Sequence, residues 1–319
     1  MASDRYGITV PFDGVLLPDH RRWYAELADL GYTDAWSAEV DGADGFTPLA
    51  LAAAWEPRLR LGVAIAPAYT RGPALLAQTA AAMAEAAPGR FALGIGASSD
   101  VIVSRWNGLA MEEPYRRMRD TLRFLKAALA GAKVDERYET FAVGGFRLAR
   151  PPEQPPPVYL AALRPGMLRL AGAEADGAIL NWLSADDVRR SVAEVGPGKE
   201  VVARIFVVPT ADVDTARAVG RRMVTAYLNV PAYAEFQRWL GRADALGAMW
   251  EAWAAGDRKA ALAAVPDEVV DDLVVHGSFE ECRDHVARYV ANGVTVPALM
   301  VVPVGVSLDD AVRGLAPAT

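Results

Sequence analysis

The chain has 319 residues, of which 33 are Lys or Arg and 40 are Asp or Glu, so its formal net charge is −7 and its pI is near 5.2. An acidic surface of this kind has no electrostatic footprint for phosphate backbones or anionic lipid, which argues against nucleic acid as a partner. With 52% hydrophobic and 23% charged residues, the chain is neither disordered nor fibrous and can bury a large core.

The longest apolar stretch, residues 294–306, covers 13 positions and includes two prolines, short of the roughly 20 residues a membrane-spanning helix needs. Asp4 and Arg5 do not fit a secretion signal, so the expected location is the cytoplasm, with no membrane contact. The sole cysteine is Cys282, and His20, His276 and His285 stand far apart. No intrachain disulfide can form, and a histidine-rich metal centre is not expected.

Strand and helix signals alternate from one end to the other, repeating every ~25–45 residues, which is the signature of an α/β fold with a parallel sheet. Residues 7–10 read as the first strand. A helix follows from Pro18 with Trp23, Leu27 and Leu30 on one face and Gly31 as its stop. Residues 33–38 form the second strand, 47–55 a helix, 59–66 the third strand, and 73–87 a helix with Leu76, Ala80, Met83 and Ala87 at helical spacing. Residues 90–96 make the fourth strand and 113–129 a strong helix. Residues 134–148 read as a β-hairpin turning at Gly144 and Gly145.

A proline-rich connection over 151–157 leads into the fifth strand at 158–161, a helix at 165–173 and the sixth strand at 178–181. The seventh strand covers 201–208. From Thr210 to about Asp272 only helical patterns occur, and these read as an insertion. Ser278 and Glu281 form an S-x-x-E capping box for a helix that stops at Asn292 and Gly293, and 297–302 supplies the eighth strand. Eight strand–helix units over residues 1–319 predict one (β/α)8 TIM-barrel domain. It carries a helical insertion between strands seven and eight and a hairpin excursion before strand five.

In such a barrel the reactive groups come from loops at the C-terminal strand ends. Gly94-Ile95-Gly96-Ala97-Ser98-Ser99 nearly matches a dinucleotide fingerprint, but it opens the fourth unit, and Trp106-Asn107-Gly108 interrupts any helix there. Its small residues instead suit a flat ring or polyol chain lying against the backbone, with Ser98 and Ser99 offering hydroxyls. At the fifth strand end, Ala161-Ala162-Leu163-Arg164-Pro165-Gly166 pairs an arginine with a proline-started helix, a combination that binds phosphate. Glu39, Asp41 and Asp44 crowd the loop after strand two, where a carboxylate can act as general acid or base. Tyr69, Trp106 and Trp182 are candidate pocket walls, and Tyr227, Tyr233, Phe236 and Trp239 of the insertion fit an apolar or aromatic guest.

Taken in order, the segments TDAWSAE (33–39), FTPLA (46–50), RLGVAI (60–65), GRFALGIG (89–96), YLAALRPG (159–166), ADG (175–177) and GSFEE (277–281) resemble the bacterial luciferase-like superfamily. The likeness is strongest to its actinobacterial branch of oxidoreductases that use the deazaflavin coenzyme F420, and it spans nearly the whole chain outside residues 210–272. The resemblance implies a cofactor ring at the barrel mouth, resting on a non-proline cis peptide at Ala64-Ile65. Gly96, Ala97, Ser98 and Ser99 would flank the ring and its side chain, and Ala162, Leu163 and Arg164 would hold the phosphate. Several relatives place a histidine after the acidic residue of strand two, whereas here Glu39 is followed by Val40. Glu39, or else Asp41, is therefore the expected proton handler.

The implied activity is hydride transfer between C5 of F420 and a small organic substrate. The alternatives are an FMN-dependent monooxygenase fed by a partner reductase, and a non-catalytic cofactor-binding relative. A homodimer is also implied, paired through the second and third helices, with small residues along 77–87 permitting close approach.

Overall fold

Eight parallel strands close into a barrel in the computed structural model, which describes residues 4–317. In chain order these are β1 (Gly7–Thr9), β2 (Asp34–Ser37), β3 (Arg60–Pro67) and β4 (Phe91–Gly96), followed by a hairpin of β5 (Val134–Arg137) and β6 (Ala142–Phe146). The ring continues with β7 (Val158–Ala161), β8 (Gly177–Asn181) and β9 (Glu200–Val208). A short β10 (Val274–His276) precedes β11 (Val296–Val301), which pairs with β1 and β9. Pairing of β8 with β9 closes the barrel.

The outer helices are α1 (His20–Asp29), α2 (Thr47–Trp55), α3 (Pro73–Ala86), α4 (Pro114–Leu129), α5 (Pro165–Glu174) and α6 (Asp187–Val195). The segment after β9 holds α7 (Val213–Leu228), α8 (Pro231–Trp239), α9 (Ala243–Ala254), α10 (Arg258–Ala263) and α11 (Asp267–Leu273). Then come α12 (Phe279–Ala291) and α13 (Leu308–Gly314). Ser278 caps α12 in a complete capping box with Glu281. Among the described residues no helix is long and apolar enough to cross a membrane.

Three apolar clusters divide the work of burial. The largest lies between barrel and helices and takes the outward faces of the strands, Val201, Ala203, Ile205 and Val207 of β9 among them. A second fills the barrel itself with Trp36, Tyr159, Ile179, Val202 and Ala298. At the N-terminal end of the barrel, Arg5 pairs with Asp34 and Glu200, and the Tyr159 hydroxyl donates to Glu200. The third cluster belongs to the insertion and joins Val224, Leu228, Leu246, Met249 and Val270 to Trp182 and Phe206 at the barrel rim. Alternation along β9 sends Val202 and Phe206 inward, and Arg204 shares their face.

The hairpin differs from expectation. Its reversal lies at 138–141, not at Gly144 and Gly145, which sit inside β6. Val134 pairs with Phe146 and Glu136 with Val143, so the register slips by one residue there, and Gly145 takes the positive φ of 68° that this bulge needs. The true turn is fixed from outside by the buried Asp120 carboxylate, which accepts from the Thr140 amide (2.9 Å) and hydroxyl (3.0 Å).

Candidate active site

The C-terminal strand ends gather most of the expected residues at one mouth. At β3 the Ala64-Ile65 peptide is cis, and the β3–β4 register shifts between Val63 and Ala66. Ile65 is left half-buried beside Gly96, the last residue of β4. A Cβ on Gly96 would lie 2.9 Å from Ile65 Cγ1 and 3.1 Å from Ala161 Cβ, so glycine is what keeps this ledge open. Ala97, Ser98 and Ser99 continue from it, half-buried, with Ser98 in left-handed backbone at φ 65°. Such a conformation in a non-glycine residue is concentrated at functional sites. Ser99 Oγ accepts weakly from the Ile102 amide (3.4 Å) at the start of a π-helical turn, Val101–Trp106.

Next around the barrel, Ala162 is buried and Leu163 half-buried, and Arg164 is the exposed residue before α5. Pro165 starts the helix, so the Gly166 and Met167 amides lie in the first turn, where a helix offers no acceptor. Arg164 and these amides form one anion-attracting corner. Tyr115 leans over it, its Cε2 3.9 Å from where a Gly166 Cβ would be.

Glu39 also lies at the mouth, but its oxygens are already filled. Arg71 Nε donates to both at 2.9 and 3.1 Å, and the Gly45 amide donates to Oε1 at 3.2 Å. The Arg71 guanidinium lies over the Phe46 ring at 4.6 Å. Both Glu39 oxygens thus accept hydrogen bonds, from Arg71 and from the Gly45 amide, at the position where a proton handler is expected. Asp41 is exposed, and the Asp44 carboxylate accepts from the Phe46 and Thr47 amides at the start of α2. Those bonds hold its carboxyl below the usual range despite partial burial.

Of the aromatic residues, Trp106 is 54% exposed. Tyr69 donates to the Glu112 carbonyl at the rim. Trp182 is buried, stacked on Phe206 at 4.2 Å and tilted against Tyr227 at 5.0 Å. It too has a left-handed backbone, φ 56°, and its carbonyl accepts from the buried Gln237 amide group at 2.6 Å.

Sequence reasoning gives no role to Arg71, Arg204 or Asn181. Arg204 had a readable signal, since it interrupts an otherwise apolar strand at a position sharing a face with Val202 and Phe206. Nothing local marks Arg71 as the partner of a loop 32 residues away.

Comparison with known proteins agrees with this architecture. The luciferase-like monooxygenase family profile matches residues 11–296. The 5,10-methylenetetrahydromethanopterin reductase of Methanolobus tindarius is 26% identical over 321 residues, covering 95% of each chain. An F420-dependent glucose-6-phosphate dehydrogenase of Gordonia bronchialis is 27% identical over 215 residues, 65% of this chain and 59% of that one. Among solved structures, the coenzyme F420-dependent tetrahydromethanopterin reductase of Methanopyrus kandleri superposes with a TM-score of 0.81 at 20% identity, over 99% of this chain and 98% of that one. With a profile match over residues 11–296 and a closed eight-stranded ring carrying the ledge at β3, the chain belongs to the bacterial luciferase-like family.

Proposed function

We propose that this protein is an oxidoreductase that binds coenzyme F420 at the barrel mouth and exchanges a hydride between it and a small organic substrate. The observation that carries the reading is the convergence of three features on one rim: the Ile65–Gly96 ledge, the small-residue turn 97–99, and the Arg164 corner. A flat ring fits the first, a polyol chain the second and a phosphate the third. The likeness to the Methanolobus reductase over 95% of both chains, and the shorter one to the F420-dependent relative from Gordonia, support the same choice.

When bound, F420 supplies the hydride-carrying carbon, and the protein supplies orientation and polarity. Ile65 and Gly96 present an apolar shelf, so one face of a ring placed there is shielded from water. Ser98 and Ser99 offer hydroxyls to the chain, and Arg164 with the Gly166 and Met167 amides neutralises phosphate charge. Glu39 acts as a positioning residue, holding Arg71 and the 39–46 loop against the mouth.

Titrating the purified protein with F420 and FMN tests the reading. Saturable F420 binding that weakens in Arg164→Ala is expected, and submicromolar binding of FMN alone overturns it in favour of a flavin monooxygenase. Turnover of an alcohol, imine or alkene with the reduced or oxidised deazaflavin separates an enzyme from a non-catalytic relative. We also propose a homodimer through α2 and α3, where Ala50, Ala54 and Leu75 stand exposed on largely apolar helices. A monomer in sedimentation at micromolar concentration contradicts it.

A further inference from the structure

Directly across the barrel from the β3 ledge stands Arg204, in the middle of β9. Its side chain lines a small cavity with Thr9, Trp36, Ala64, Ile179 and Ala298. No carboxylate answers it among the described residues. Nη2 reaches only the Met300 thioether, at 3.2 Å, the group packs 5.2 Å from the Phe206 ring, and Nε is buried without a partner. Arg204 is half-buried, and holding a partly desolvated guanidinium without an opposing charge is unfavourable, so the arrangement is understandable where a ligand completes it.

The neighbours of Arg204 point the same way. Asn181, its partner in the β8–β9 register, donates from Nδ2 to the Tyr233 hydroxyl at 3.1 Å. Tyr233 comes from α8 of the insertion, and its own hydroxyl proton has no acceptor among the described residues. Burial raises the phenol above its ordinary value, so it keeps that proton. Trp182 Nε1, in the ring cluster just above, is another buried donor without a partner. The wall opposite the cofactor ledge is therefore rich in donors and a positive charge, with no acidic side chain to balance them.

We propose that Arg204, assisted by the Tyr233 hydroxyl, is the specificity-determining anchor for a substrate that carries a carboxylate. The planar guanidinium offers two parallel N–H groups to two carboxylate oxygens, the geometry that arginine serves better than lysine. Phe206, Tyr227 and Trp182 give the organic remainder an apolar wall. The assignment rests on the cofactor occupying the β3–β4–β7 side, as proposed above.

The test uses acetate, benzoate and 3-phenylpropionate, each against its neutral amide, followed by the quenching of tryptophan fluorescence in the full-length protein. At least one acid should bind saturably, and about tenfold or more tighter than its amide. Arg204→Gln should lower acid affinity by about 10- to 100-fold while leaving amide affinity and F420 affinity within about twofold, and Arg204→Lys should recover only part of the loss. Because the variant removes an unpaired charge, its thermal midpoint should match or exceed that of the wild type, which separates an anchoring role from a structural one.

Equal binding of acids and amides by the wild type overturns the proposal without any variant. So does unchanged acid affinity in Arg204→Gln. Loss of F420 binding in the wild type, with the acid preference intact, overturns the cofactor reading instead.

Discussion

Replacing Glu39 by Gln probes how the mouth loop is held. The carboxylate accepts three bonds from Arg71 and one from Gly45, with only 13% of its side chain and 21% of that of Arg71 exposed. Glutamine keeps one oxygen for Gly45 but turns an NH2 group toward the guanidinium, so a donor faces a donor and the half-buried Arg71 keeps only its longer ion pair with the Asp44 carboxylate, 3.7 Å away. Breaking a fully buried pair costs about 3–5 kcal/mol and an exposed one less than about 1. This pair, mostly but not wholly screened from water, should cost about 2 kcal/mol. At the usual unfolding entropy per residue, a chain this long gains roughly 0.7 kcal/mol per degree, so the midpoint should fall by about 3 °C.

A double-mutant cycle isolates the pair from everything else the residues touch. Urea unfolding at neutral pH of Glu39→Gln, Arg71→Met and the double variant should give two singles destabilised by about 2 kcal/mol each and a double no worse than either. A coupling energy below about 0.5 kcal/mol refutes the picture of a locked pair, and Glu39 would then be free for proton transfer.

Gly96→Val should abolish the ledge: its Cβ alone meets Ile65 at 2.9 Å and Ala161 at 3.1 Å, so F420 affinity should drop by more than about tenfold with about 1–3 kcal/mol of overpacking. Unchanged affinity in the titration counts against the ledge. Arg164→Ala should weaken F420 by about 10- to 100-fold, the range for a charge-assisted bond, with less loss at high salt than at low salt; calorimetry reads both. His20 is fully buried, with Nε2 accepting from the Phe12 amide and Nδ1 donating to the Leu16 carbonyl, and burial lowers its pKa below the ordinary 6.5. Its stabilising contribution is whole above that ordinary value and is lost as pH falls through the lower folded one. The melting temperature should therefore decline on acidification from pH 7 to 5, and His20→Gln should flatten that decline; an unaltered slope contradicts the assignment.

Much of the fold was legible because each barrel unit repeats a local pattern that its own residues satisfy. Thr47–Trp55 and Val158–Ala161 fall where their apolar runs begin and end, and the Ser278–Glu281 box needs nothing beyond four residues. The hairpin turn was misplaced because glycine marks both turns and bulges, and here Asp120, on a distant helix, decides which. Strand β10 escaped notice because three residues have no period, and its existence depends on the free end of β9. At the mouth, the places of Gly96 at the end of β4 and of Arg164 just before α5 were readable from motif and spacing. Glu39 lies at the mouth, where its strand-end position puts it, but its pairing with Arg71 was not readable because that partner lies a strand and a loop away.

The edge that β9 shares has a consequence for how such proteins diversify. Its first five residues pair with β8 and its last three with β10, so the helical segment departs and returns at neighbouring rungs, closed by the Gly277 amide on the Thr210 carbonyl at 3.1 Å. A segment whose two ends are stapled together behaves like a cartridge: it can be exchanged as a unit where its bonds to the socket, Gln237 on the Trp182 carbonyl and Arg242 on Asp187, are kept. Swapping residues 213–273 for those of a sister enzyme should change the guest while the redox partner stays the same.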